Sequence, residues 1–80
     1  MALVEDPVSR DGGRIFVLLK HHQGQQTVLG WADALDARDA CDIAEFAVHG
    51  KFVAGAMAWG QATSAEQAEA LRLGEQKGRL

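Results

Sequence analysis

The sequence has only one cysteine and one proline in 80 residues. Cys41 alone cannot form an internal disulfide or a four-cysteine metal site, so a small apolar residue buried in a helix is its expected role. The single proline argues against a flexible tail, while 48% of the residues are hydrophobic. This composition is typical of one packed domain, and 80 residues leave it a thin core.

The chain also has no long apolar run near its start. Its first fourteen residues include five charged ones, which excludes a secretory signal and a membrane span in this stretch. We therefore expect a cytoplasmic protein without membrane contact. The five are Glu5, Asp6, Arg10, Asp11 and Arg14.

A complete set of catalytic residues is missing. A nucleophile needs a base beside it, and the two candidate serines, Ser9 and Ser64, are predicted in a flexible arm and at a helix cap. His49 follows Cys41 by eight residues, which on an ideal helix is roughly 12 Å along the axis and too far to activate a thiolate directly. The sequence therefore predicts a protein that is not an enzyme.

Metal and phosphate sites lack their usual spacing as well. His21 and His22 are adjacent on a predicted turn, and consecutive residues on an extended chain usually diverge, so we expect solvated turn histidines rather than ligands shared with His49. Gly12 and Gly13 match neither a dinucleotide-binding nor a P-loop pattern and indicate a turn. No metal and no cofactor are expected.

Residues 1–13 are predicted to form an irregular N-terminal arm, and residues 14–80 a single α+β domain. The apolar run 15–19 is typical of a strand buried on both faces. A polar connection at 21–24 leads to a second strand at 26–31, which completes a β-hairpin. In this second strand Thr27, Leu29 and Trp31 are expected to share one face.

A helix is predicted from Asp33, its expected N-cap, to His49, with Gly50 as the stop. Three larger residues should project away from the small-residue face and need separate cover, which a partner could supply. They are Leu35, Ile43 and Phe46. The small-residue face itself consists of Ala37, Ala40, Cys41, Ala44, Ala47 and Val48.

The segment 51–60 fits either a strand or a small-residue helix, and we favour the strand. Thr63 and Glu66 form a capping box that begins a last helix, ending before Gly74. The predicted order is ββαβα, with a three-stranded antiparallel or mixed sheet in spatial order 2-1-3 and two helices. Either the helices cover both faces of this sheet, or its open face meets another chain, as in a homodimer.

Acidic residues recur at every third position between 33 and 45. This segment contains five acidic residues and one basic residue, Arg38, so its net charge is −4, whereas the net charge of the whole chain is −3. A solvated helix face with acids near the helix N-terminus explains the first two better than the last three, because the dipole effect fades after one turn. The acidic ridge, defined as Asp36, Asp39, Asp42 and Glu45, is therefore a candidate contact surface for a protein partner, with Phe46 as its apolar neighbour.

In its small acidic α+β domain, acidic ridge and missing catalytic set, the chain resembles small phage-encoded inhibitors of the anti-CRISPR type. The resemblance implies a partner protein complex that otherwise holds nucleic acid. Two alternatives stay open: a small nucleic-acid-binding regulator and a self-associating structural domain. The first would use Trp31, Phe52 and Trp59 for base stacking, although these residues are more typical of a core, and the eight lysines and arginines are spread along the chain.

Overall fold

A computed structural model describes residues 7–9, 13–47 and 53–77 of the chain. It shows the predicted α+β fold, a three-stranded antiparallel sheet in the order β2-β1-β3 with two helices. No helix in these ranges is both long and apolar enough to cross a membrane. The elements are β1 (Arg14–His22), β2 (Gln25–Ala34), α1 (Ala37–Ala47), β3 (Val53–Ala58), a 3₁₀ turn (Trp59–Gln61) and α2 (Ser64–Leu73).

The β1–β2 hairpin closes through a two-residue turn. His22 pairs with Gln25, and the residues between them, Gln23 and Gly24, have φ of 51° and 79°. Positive φ at both central positions is the signature of a type I′ turn, whose twist matches that of the flanking strands. The hairpin is thus confirmed, and its strands are longer than the sequence predicted.

A β-bulge interrupts β2 and corrects the predicted face assignment. Leu18 pairs with Gly30 whereas Leu19 pairs with Val28, so Leu29 is the extra residue. Leu29 packs with the cluster beneath α1, and Trp31 packs on the opposite face of the sheet. The prediction that these two share a face is wrong, because one extra residue reverses the alternation of side chains.

The two helices lie on opposite faces of the sheet. Phe16 and Leu18 of the central strand pack with α1 residues, whereas Val17 and Leu19 pack with Trp59 and with Ala70 of α2. This explains why the run 15–19 is continuously apolar, since both sides of β1 are buried. Of the two arrangements that the sequence left open, the structure has the one with helices on both faces.

The start of α1 differs from the prediction. Asp33 lies in β2, where it pairs with Ile15, and its carboxylate accepts a hydrogen bond from Ser9 Oγ at 2.7 Å. The N-cap is Asp36, whose carbonyl accepts from Ala40 N at 3.0 Å. Strand pairing extends to Ala34 and so delays the helix by a turn. The predicted stop at Gly50 lies outside the described residues.

The buried face of α1 also differs in part. Ala40 and Ala44 are fully buried as expected, but Ile43 is only 8% exposed and belongs to the core, not to a separate direction. Ala37 is exposed and Cys41 is half-buried. The core side of the helix is therefore rotated toward Ile43, because a large side chain gains more from burial than alanine does.

The last helix, α2, follows the prediction closely. Thr63 and Glu66 form the reciprocal capping box, and Gly74 ends the helix with φ of 94°. The chain then runs beside β2, where Trp31 and Glu75 form a parallel bridge. The strand that the sequence favoured within 51–60 is confirmed as β3, and it ends at Ala58 because a 3₁₀ turn begins at Trp59.

Candidate functional site

The structure places the acidic ridge at and along α1. Asp36, Asp42 and Glu45 are exposed, whereas Asp39 is half-buried. Three-residue steps turn back about 60° each, so the ridge winds round the helix and does not form a straight row. The ridge divides into two halves with different local roles.

Asp36 and Asp39 satisfy the start of the helix. The Asp36 carboxylate accepts from the backbone N–H of Asp39 at 2.8 Å, and the Asp39 carboxylate accepts from the N–H of Leu35 at 3.0 Å. The arrangement resembles a capping box, in which the N-cap and N3 side chains each accept a backbone N–H. It differs in that the Asp39 side chain bonds the residue before the N-cap, Leu35, and not the N-cap itself. These two acids therefore stabilise the fold directly, and Asp39 is not the freely exposed charge that the sequence suggested.

Asp42 and Glu45 lie beyond the capped turn. Both side chains are exposed. Glu45 lies in the last turn of the described helix, and that turn contains no basic residue. A negative charge near the C-terminal end of a helix opposes the helix dipole, and acids three residues apart repel each other. The helix dipole and the spacing of these acids therefore do not favour this half of the ridge as they favour the first half.

Two large apolar side chains flank the ridge in solvent. Phe46 is 61% exposed and lies about 40° round the helix from Asp42. Leu35 is 72% exposed at the other end, before the first turn. The sequence analysis identified Leu35 only as a residue in need of cover. The exposure of Leu35 in the structure makes it a further candidate contact residue. Its place in the sequence, next to Asp36, was the signal that could have indicated this.

A shallow cleft opens beside the first turn of α1. Its volume is about 290 Å³, and Leu35 and Asp39 form its helix side. The Ser9–Asp33 hydrogen bond fixes one wall, because the arm residue Ser9 contacts the strand there. The cleft is acidic and open, which suits a cationic side chain better than an apolar ligand. The remaining lining residues are Gly13, Asp33 and Ala34.

The histidines and the cysteine that the sequence analysis considered lie partly within the described residues. His21 and His22 are exposed at the end of β1, and His49 lies outside the described residues. Over the described ranges, no three His, Cys, Asp or Glu side chains gather closely enough to hold a metal ion. Cys41 is half-buried on α1, whereas the sequence predicted a buried residue.

One ion pair shifts pKa values on the other side of the molecule. Arg72 donates to Glu69 on α2, and this hydrogen bond lowers the pKa of the Glu69 carboxyl. The same bond raises the pKa of Arg72. Arg72 is exposed and Glu69 is half-buried, and both lie on a different helix from the ridge, so they provide a charged reference surface. No protein-family model, curated protein or solved structure matches the chain.

Proposed function

We propose that the chain is a non-enzymatic, cytoplasmic protein-binding module whose contact surface is the acidic ridge with Phe46. The observation that supports this proposal is the exposed group at the C-terminal half of α1, Asp42, Glu45 and Phe46. Like charges three residues apart repel each other on a free helix. In an interface, the same carboxylates can contact a partner's cations while the aromatic ring enters an apolar pocket.

Phe46 would supply most of the binding free energy. Exposed aromatic side chains that enter a partner's pocket are frequent hot spots, while surrounding charges mainly set specificity and association rate. The partner should therefore present arginines or lysines around an apolar pocket. Leu35, at the far end of the ridge, would extend the same contact.

The charge of the ridge defines the class of partner. Guanidinium groups form paired hydrogen bonds with carboxylates, and basic protein surfaces that hold nucleic acid are rich in them. A partner complex of that kind is also what the resemblance to anti-CRISPR inhibitors implies. The module would then occupy a nucleic-acid site without being a nucleic acid.

Comparative capture from a host lysate tests the proposal. The wild type, Asp42→Lys, Phe46→Ala and the control Glu69→Lys are immobilised, and the retained proteins are quantified by mass spectrometry. Glu69→Lys matches the charge change of Asp42→Lys but lies on α2. We expect one partner to be retained by the wild type and the control and retained much less by both ridge variants.

The captured partner is then measured at two ionic strengths. Charges in an exposed contact are screened by salt, so the wild type should lose affinity as salt rises and Asp42→Lys should show a flatter dependence. Equal retention of every protein by all four chains would remove the ridge from the function.

A further inference from the structure

The two outer edges of the sheet differ in how they are protected. On β2, the N–H of Trp31 donates to Gly74 O at 3.2 Å, and its carbonyl accepts from Gln76 N at 2.8 Å. Gln76 Nε2 also donates to Leu29 O at 3.1 Å, at the bulge. A bulge and a covering segment are two of the devices by which proteins prevent edge-to-edge pairing.

Among the residues that the structure describes, the edge at β3 has neither device. Its ladder joins β1, and no backbone hydrogen bond from another described residue reaches its outer side. The strand Val53–Ala58 contains no charged residue and no proline. Such a strand offers a row of N–H and C=O groups that another strand can pair with.

Helix α1 carries only short side chains on the side that lies toward the β3 edge. Asp39 lines the cleft together with Ala34, so its side of α1 lies toward β2. Ala37 and Cys41 are each two residues from Asp39, about 200° round the helix, and therefore lie on the β3 side. Neither is fully buried. A second helix could approach closely there, because both side chains are short.

We propose that β3 pairs antiparallel with β3 of a second copy of this chain, which makes one six-stranded sheet. The two-fold axis is perpendicular to the sheet, since a strand edge is complementary to itself only in that relation. Both α1 helices then lie on the same face, antiparallel, with their Cys41 sides toward each other. This inference concerns self-association and does not depend on the proposed partner.

Charge complementarity selects a second copy as the occupant. Arg38 and Glu45 are both exposed and lie within about 60° of Cys41 round the helix. They are placed almost symmetrically about the middle of α1, so an antiparallel pair sets Arg38 of one copy opposite Glu45 of the other. The β3 strands, which have no charge, do not oppose this approach.

Charge reversal provides the first test, by sedimentation equilibrium from low micromolar to hundreds of micromolar protein. The wild type should change from monomer to dimer across this range. Arg38→Glu and Glu45→Arg alone should each raise the dissociation constant about tenfold or more, because like charges then face each other. The double variant should restore dimerisation. Phe46→Ala, about 140° round the helix from Cys41, should leave the dissociation constant unchanged.

Hydrogen exchange and cross-linking locate the interface. Amides on the outer side of residues 53–58 should exchange more slowly as concentration rises, while those of the β2 edge should not change. A short bis-maleimide should join two chains through Cys41, the only cysteine, and Cys41→Ser should lose the cross-link but keep the dimer.

Two outcomes overturn the proposal. One is a monomer at every concentration with constant exchange at 53–58. The other is a dimer that ignores both charge reversals and leaves β3 exchange unchanged, which would place the interface elsewhere. Neither result bears on the lysate capture, which depends on Asp42 and Phe46.

Discussion

At the scale of single residues, the acidic ridge contains two kinds of carboxylate. Asp36 and Asp39 accept backbone N–H groups that would otherwise be unsatisfied at the helix start. Asp42 and Glu45 have exposed side chains on later turns. Equally spaced acids therefore have different structural roles, because the helix begins within the run of acidic residues.

This division predicts opposite effects of two alanine substitutions. Asp36→Ala should lower the free energy of unfolding by about 1 kcal/mol, the usual cost of losing an N-cap. Glu45→Ala should leave it unchanged or raise it by a few tenths of a kcal/mol, since an unfavourable charge is removed. Urea titrations of the two variants and the wild type provide the measurement. Equal losses in both would show that Asp36 does not cap α1.

At the scale of elements, the bulge in β2 depends on Gly30. Its φ is 138°, and a Cβ added there would lie 2.5 Å from the carbonyl oxygen of Gly74. Both the backbone conformation and the close approach of the C-terminal segment therefore require glycine. The segment at 74–76 and the bulge are structurally linked.

Gly30→Ala should accordingly destabilise the protein by about 1–3 kcal/mol, and more if the C-terminal segment is displaced. Gly60→Ala is the matched control, because nothing lies within 4 Å of its added Cβ and its φ is not positive. That variant should change stability little. Denaturation midpoints of the two would decide, and a larger loss for Gly60→Ala would contradict the account of the bulge.

Local signals predicted most of the elements. The capping box at Thr63 and Glu66 and the Gln23–Gly24 turn are short-range features, so the sequence alone located α2 and the hairpin. The start of α1 and the face of Leu29 depend on pairing with β1 and on the distant segment 74–76. Local periodicity has no access to such contacts, and both predictions failed for that reason.

The candidate site was predictable to a similar degree. The exposure of Asp42, Glu45 and Phe46 follows from helical phase and is confirmed. The capping role of Asp39 was not foreseen, because the sequence placed the helix start at Asp33. Whether the ridge binds a protein is still a prediction.

At the scale of the whole molecule, two apolar clusters on opposite faces of one sheet stabilise the fold. Central residues Val17 and Leu18 are completely buried. Because apolar packing of this kind needs no ligand, the circular dichroism spectrum and melting temperature should be unaffected by EDTA. A loss of helical signal on chelation that zinc reverses would contradict this prediction. It would also support the histidines as metal ligands.

The central position of β1 also has a kinetic consequence. Its ladder with β2 closes across two residues, whereas its ladder with β3 joins Phe16 to Ala58. Loop closure disfavours the distant pairing, so the hairpin should form early and β3 should dock late. Until it docks, one side of β1 is an open template on which β3 of a neighbouring chain fits as well as its own. At high concentration, refolding therefore competes with exchange of β3 between chains.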